Sequence, residues 1–125
     1  MGVRILIVDD SKLSRKTLRK TLEAGGHTVI EAQDGLQALE IYSLQPPDLV
    51  LLDMVMEGMH GIEVLQKIRE LDPNARVVFA TADVQLQTAS AAKEAGALGL
   101  IKKPFQETVI LSAVENALSG GSHWN

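Results

Sequence analysis

"PPDLVLLDMVMEGMHG", residues 46–61, contains the run Leu49-Val50-Leu51-Leu52 and stops it on a carboxylate, Asp53. Four consecutive branched apolar residues suit a strand buried on both faces and are too few for a helix. Strands buried on both faces belong to parallel sheets flanked by helices. An acid directly after such a strand is placed where the strand leaves the core. The next helical pattern begins only beyond Gly58 and Gly61. Helix capping therefore accounts poorly for Asp53, and a crevice at the strand end accounts for it better.

Working outward, the same kind of run recurs at 4–8, 28–31, 76–80 and 98–101. Longer amphipathic stretches separate these runs. Residues 11–24 place Leu18 and Leu22 one turn apart, with Arg15, Lys16, Arg19 and Lys20 on another face. Residues 62–71 carry Val64, Leu65, Ile68 and Leu71 at helical spacing, and 106–118 carry Ile110, Leu111, Val114, Ala117 and Leu118. Gly25-Gly26, Gly96 and Gly120-Gly121 follow the first, fourth and last helical patterns, and Asp72-Pro73 closes the third. Five strands alternating with five helices predict a doubly wound α/β sandwich, (βα)5, around a five-stranded parallel sheet.

The composition narrows the function. At 125 residues, 46% of them hydrophobic and 22% charged, the chain has the size and content of one globular domain. No apolar run approaches the about 20 residues that span a bilayer, and the N-terminal run ends on two acids, unlike a signal peptide. The expected location is cytoplasmic, with no membrane partner. Cys is absent, which removes thiol catalysis and thiolate zinc sites. His27, His60 and His123 are scattered, so a histidine metal site is not expected. A net charge of −4 and 3% aromatics argue against a nucleic-acid partner.

Ligands of open parallel sheets bind beyond the carboxyl ends of the strands. There the sequence places Asp9 and Asp10, Asp53, Thr81-Ala82-Asp83, and Lys102-Lys103-Pro104. Each has an ordinary alternative reading. Asp10 beside Ser11 suits a helix cap, Lys102-Lys103 a solvated pair, and Thr81 no role at all. Their coincidence at four strand ends favours a shared site. Clustered carboxylates must either hold protons or be neutralised by a cation. Oxygen donors alone favour Mg²⁺, with Mn²⁺ as an alternative. A carboxylate beside a hard cation and an ammonium is arranged to attack phosphorus.

The segments "ILIVDDS", "PDLVLLDMVMEGMHGIEVL", "VVFATAD" and "GALGLIKKPF" resemble the receiver domain of bacterial two-component response regulators, the CheY-like family. The resemblance runs from Arg4 to about Leu118. It implies a flavodoxin-like sheet in the order 2-1-3-4-5. It implies that Asp53 accepts a phosphoryl group and that Asp9 and Asp10 hold Mg²⁺, with Asp53 and the Val55 carbonyl as further ligands. Thr81 and Lys103 then contact phosphoryl oxygens, and a cis peptide is usual between Lys103 and Pro104. Three positions depart from the family pattern. Glu57 stands where Pro is frequent, His60 where Asp is frequent, and Leu100 where an aromatic switch residue is usual.

The function so implied is a stand-alone receiver, one form of it chemotactic, phosphorylated by a sensor histidine kinase in a Mg²⁺-dependent reaction. It acts on itself alone, so it is not an enzyme toward other substrates. It would bind a downstream protein through the fourth helix, fifth strand and fifth helix, as a monomer or a phosphorylation-dependent dimer. An auxiliary phosphatase is a further expected partner. The basic face at Arg15, Lys16, Arg19 and Lys20 reads equally as a kinase-docking surface or as a solvated face. Alternatives are a receiver cut from a larger regulator and a phosphatase of the haloacid-dehalogenase type. The latter requires a second Asp two residues after the nucleophile, where Val55 stands. The receiver domain is expected over 1–119, and a flexible tail over 120–125.

Overall fold

The computed structural model describes residues 2–83 and 85–124. Met1, Val84 and Asn125, which the expected boundaries include, lie outside the described residues. The elements follow the expected alternation: β1 (Arg4–Val8), α1 (Lys12–Ala24), β2 (Thr28–Ala32), α2 (Gly35–Leu44), β3 (Leu49–Leu52), α3 (Gly61–Leu71), β4 (Val77–Thr81), α4 (Leu86–Glu94), β5 (Gly99–Lys102) and α5 (Glu107–Leu118). All strands are parallel, in the order β2-β1-β3-β4-β5. This is the flavodoxin-like α/β arrangement.

The two-residue period of the strands divides the core into two layers. Leu6 and Val8 of β1, Val50 and Leu52 of β3, and Val77 and Phe79 of β4 point to one face. They meet Ala38 and Tyr42 of α2, Val64, Leu65 and Ile68 of α3, and Ala92 of α4. Ile5 and Ile7, Leu49 and Leu51, and Val78 and Ala80 point to the other face. They meet Leu18 and Leu22 of α1 and Ile110, Ala113, Val114 and Ala117 of α5. Every residue of β3 is buried, as its unbroken apolar sequence requires. Each fully buried leucine of this kind contributes about 2 kcal/mol relative to an exposed one.

Local chemistry sets the helix starts. The Ser11 side chain accepts the Ser14 N–H, Asp34 accepts that of Gln37, and His60 Nδ1 accepts that of Ile62. Capping of α1 therefore falls to Ser11 and leaves Asp10 to other work. Arg69 of α3 donates to the carbonyl of Ala95 beyond α4, fixing those two helices end to end.

Two described residues of the segment expected as a tail touch the rest of the domain. Among the described residues, His123 forms a parallel bridge to Gly99 on the outer edge of β5, and Trp124 packs against the α2–α3–α4 layer. The unpaired backbone of an edge strand attracts such a segment, and nothing in the apolar patterning of 120–125 announced it.

Candidate functional site

The site forms where β1 and β3 end side by side. The Asp9 N–H donates to the Ala32 carbonyl at 3.1 Å, and the Asp53 N–H donates to the Val8 carbonyl at 2.9 Å. Both acids thus continue the sheet ladder by one residue, and their backbones are as fixed as the strands. Asp10, one residue further on, is exposed. One oxygen from each of Asp9, Asp10 and Asp53 lies within 4.8 Å of the others. The three acids expected together from sequence are together.

Lys103, just past β5, reaches into this cluster. Its ammonium lies 2.9 Å from Asp9 Oδ2 and 3.2 Å from Asp53 Oδ2. Its backbone N–H donates to the Thr81 carbonyl at 2.9 Å, which ties the lysine to the end of β4. The Lys103–Pro104 peptide is cis. Lys102 is exposed, as a spare lysine should be.

Thr81 closes β4 and is buried. Its hydroxyl accepts the Asp83 N–H at 3.2 Å, which leaves its own proton free to donate. Among the described residues no hydrogen bond joins it to the carboxylates. The Val55 N–H faces Asp53 Oδ1 at 3.4 Å, and its side chain is 60% exposed.

The electrostatics follow from this crowding. Burial pushes the Asp9 carboxyl up and the Asp53 charge adds to the rise; the Ser11 N–H and Lys103 oppose them without cancelling them. Burial alone would lower the Lys103 ammonium. Asp9 and Asp53 outweigh burial and hold it above its ordinary value.

Asp9 Oδ2 is buried, and its one partner among the described residues is the Lys103 ammonium at 2.9 Å. A buried carboxylate oxygen with one cation for company, beside two further carboxylates, is a donor set that fits a hard divalent ion. Asp9, Asp10 and Asp53 can supply oxygens to it.

Several supporting residues were not legible in the sequence. The Ser11 N–H donates to Asp9 Oδ1 at 2.8 Å, the Glu57 N–H to Asp10 Oδ2 at 3.3 Å, and Arg15 Nη1 to the Asp9 carbonyl at 2.7 Å. Only the Ser in "DDS" offered a hint. Arg15 and Arg19 also hold Glu31 of β2. The anticipated basic face of α1 is therefore half neutralised, and only Lys16 and Lys20 stand exposed on it. None of the histidines joins the site. His27 Nδ1 accepts the Val3 N–H, His60 caps α3, and His123 sits at the β5 edge.

Comparison with known proteins agrees with this geometry. The response regulator receiver domain family matches residues 5–115. The chain is 38% identical to the chemotaxis protein CheY of Halobacterium salinarum, covering 95% of this chain and 99% of that one. It is 42% identical to sporulation initiation phosphotransferase F of Bacillus subtilis, covering 94% and 95%. The crystal structure of NtrX from Brucella abortus superposes with a TM-score of 0.91 at 31% identity, over 96% of this chain and 28% of that longer one.

Proposed function

The chain belongs to the response regulator receiver domain family, and from that premise we propose that Asp53 accepts a phosphoryl group from a sensor histidine kinase and that a protein partner reads the change. The observation that carries this is the Lys103 ammonium shared between Asp9 and Asp53, with Asp10 alongside. An Asp53 oxygen attacks the phosphorus of a phosphohistidine. The new bond is the P–O bond of an acyl phosphate, the P–N bond breaks, and the imidazole leaves with the electron pair. Lys103 meets the charge on the phosphoryl oxygens, and the free proton of Thr81 donates to one of them. A receiver of this kind is not an enzyme toward a separate substrate.

Mg²⁺, or Mn²⁺ in its place, suits the three carboxylates. Asp9 and Asp10 would hold it, with Asp53 and the Val55 carbonyl as further oxygen donors. When bound, it supplies positive charge against the carboxylates and the incoming phosphoryl oxygens. The three clustered carboxylates, offset by a single ammonium, support this assignment.

Output is assigned to the face built by α4, β5 and α5. Leu100 offers neither ring nor hydroxyl, so the signal leaves Thr81 through the backbone. The Asp83 carboxylate supports that route. It accepts from the Gln85 N–H and the Thr88 hydroxyl, joining the loop after Thr81 to the start of α4.

The form proposed is a stand-alone, monomeric receiver in the cytoplasm, served by an auxiliary phosphatase; two relatives are matched over nearly their whole length. A chemotactic role is one form of this reading, since one of those relatives is a chemotaxis protein. The 28% share of NtrX supports the second reading, a receiver within a larger regulator. The dehalogenase-type phosphatase finds no support, since the position of its second acid is Val55.

The test is labelling by acetyl phosphate or a cognate kinase with Mg²⁺. The native chain should take the label and Asp53→Asn should take none. Undiminished labelling of the variant would move the acceptor elsewhere.

A further inference from the structure

β5 is the last strand of the sheet, so one of its edges has no neighbouring strand. His123 lies along that edge and Trp124 just beyond it. The His123 N–H donates to the Leu98 carbonyl at 2.8 Å, and the Leu100 N–H donates to the His123 carbonyl at 3.0 Å. The edge is shaped for this approach. A Cβ on Gly99 would lie 2.5 Å from the His123 carbonyl oxygen and 3.0 Å from its Cβ. Gly99 does not have positive φ, so its backbone alone does not call for glycine. What calls for it is the nearness of the His123 backbone of the same chain. Beyond the bridge, Trp124 rests against the layer containing Ala92 and Ala97, with the Lys93 ammonium 5.1 Å from its ring centre.

We propose that the outer edge of β5, with the aromatic seat under Lys93, is a docking site for an extended peptide bearing an aromatic side chain. His123 and Trp124 of the same copy fill it, so a partner segment of that chemistry gains the edge only by displacing them.

Main-chain bonds to an edge strand bind any extended sequence, and a pocket for one side chain supplies the selectivity. Both parts are present here: the Leu98 carbonyl and Leu100 N–H flanking a bare Gly99, and the seat for a ring. The hold is made to be broken. It rests on one isolated bridge rather than a ladder. Gly120, at φ +89°, and the exposed Gly121 and Ser122 lead into it from α5. Among the described residues His123 Nε2 is buried without a hydrogen-bond partner, a cost borne only in the docked form. This edge lies on the opposite side of β5 from β4, within the α4–β5–α5 face to which output is assigned, and the inference rests on that reading.

Trp124 is the sole tryptophan, so its fluorescence reports docking directly. In the native chain its emission should lie to the blue of the urea-unfolded chain and resist quenching by acrylamide. Gly99→Ala should shift it to the emission of an exposed indole while one cooperative melt remains. His123→Pro removes the donor to Leu98 without touching the sheet, and should do the same even if Gly99→Ala fails to fold. A fluorescein-labelled peptide of residues 120–125 should then bind the full-length His123→Pro chain, and should not bind the native chain or Gly99→Ala. A native tryptophan as quenchable as in the unfolded chain, or a peptide that does not bind His123→Pro, overturns the proposal. Native emission that changes with protein concentration, together with dimers in sedimentation, would assign the edge to a second copy and overturn occupancy in cis.

Discussion

Gly61 lies directly beneath Asp53: a Cβ built on it would stand 2.5 Å from the Asp53 carbonyl oxygen and 2.7 Å from Met54 Cα. The Gly61 N–H locks this approach by donating to the Met54 carbonyl at 2.8 Å. The obstructing atoms are backbone, so no rotamer change relieves the contact. Gly61→Ala should therefore push the loop after β3 outward. We expect a loss of about 1–3 kcal/mol in urea unfolding, with slower labelling of Asp53. An alanine variant as stable and as quickly labelled as the native chain would show that the loop yields freely.

Mg²⁺ should stabilise the fold, because the acids meet only in the folded chain. With free metal at about 100 times its dissociation constant the gain is about 2.7 kcal/mol. Lys103→Met removes the cation that offsets Asp9. It should lower the metal-free melting temperature and enlarge the stabilisation by Mg²⁺. Melting curves of either chain indifferent to millimolar Mg²⁺ would contradict a metal site at these acids.

Stability should also depend on pH through Glu31. Burial tends to raise this carboxyl, but the hydrogen bonds and charges of Arg19 and Arg15 outweigh it and leave it below the ordinary 4.5. A lowered carboxylate contributes stability that is fully present above its unfolded value and is lost as pH falls through its folded value. Glu31→Gln should cost about 0.5–1 kcal/mol at neutral pH, the scale of a partly exposed ion pair. Urea titrations at neutral and strongly acidic pH should show the gap closing in acid. A gap independent of pH would assign the loss to packing.

The lifetime of the phosphoryl group should depend on Val55. Hydrolysis needs a water in line with the bond that breaks. Asp83 is committed to the Gln85 N–H and the Thr88 hydroxyl, whereas exposed Val55 has its N–H 3.4 Å from Asp53 Oδ1 and is the residue expected to flank that water. Valine offers water no hydrogen bond, and its methyl groups crowd the approach. Val55→Asn should speed autodephosphorylation severalfold. An unchanged or slower rate would refute the crowding argument and turn attention to Asp83.

The sequence made the sheet plain because each strand is an unbroken apolar run, and it made the site plain because polar residues stand where those runs stop. Among the boundaries that slipped by a residue are Thr81 and Lys102. Both continue the backbone ladder whatever their side chains, so apolar patterning ends before the strand does. The Arg15–Glu31 and Arg19–Glu31 pairs join α1 to β2, and no local period encodes such a meeting. The seat of His123 on Gly99 escaped for the same reason. A glycine at the head of a strand reads as a turn until the segment that needs its bareness is in place.

The Lys103 ammonium and the Asp53 carboxylate it touches are 50 residues apart in the chain. Asp9 comes from the first strand and Lys103 from just beyond the last. During synthesis, therefore, the acceptor carboxylate leaves the ribosome long before the lysine that completes its surroundings. On the proposed reading of Asp53 as acceptor, the cation that completes its surroundings arrives only when the final strand has docked. A truncated or misfolded copy would then expose the same aspartate without that charge and should draw less phosphate from a kinase.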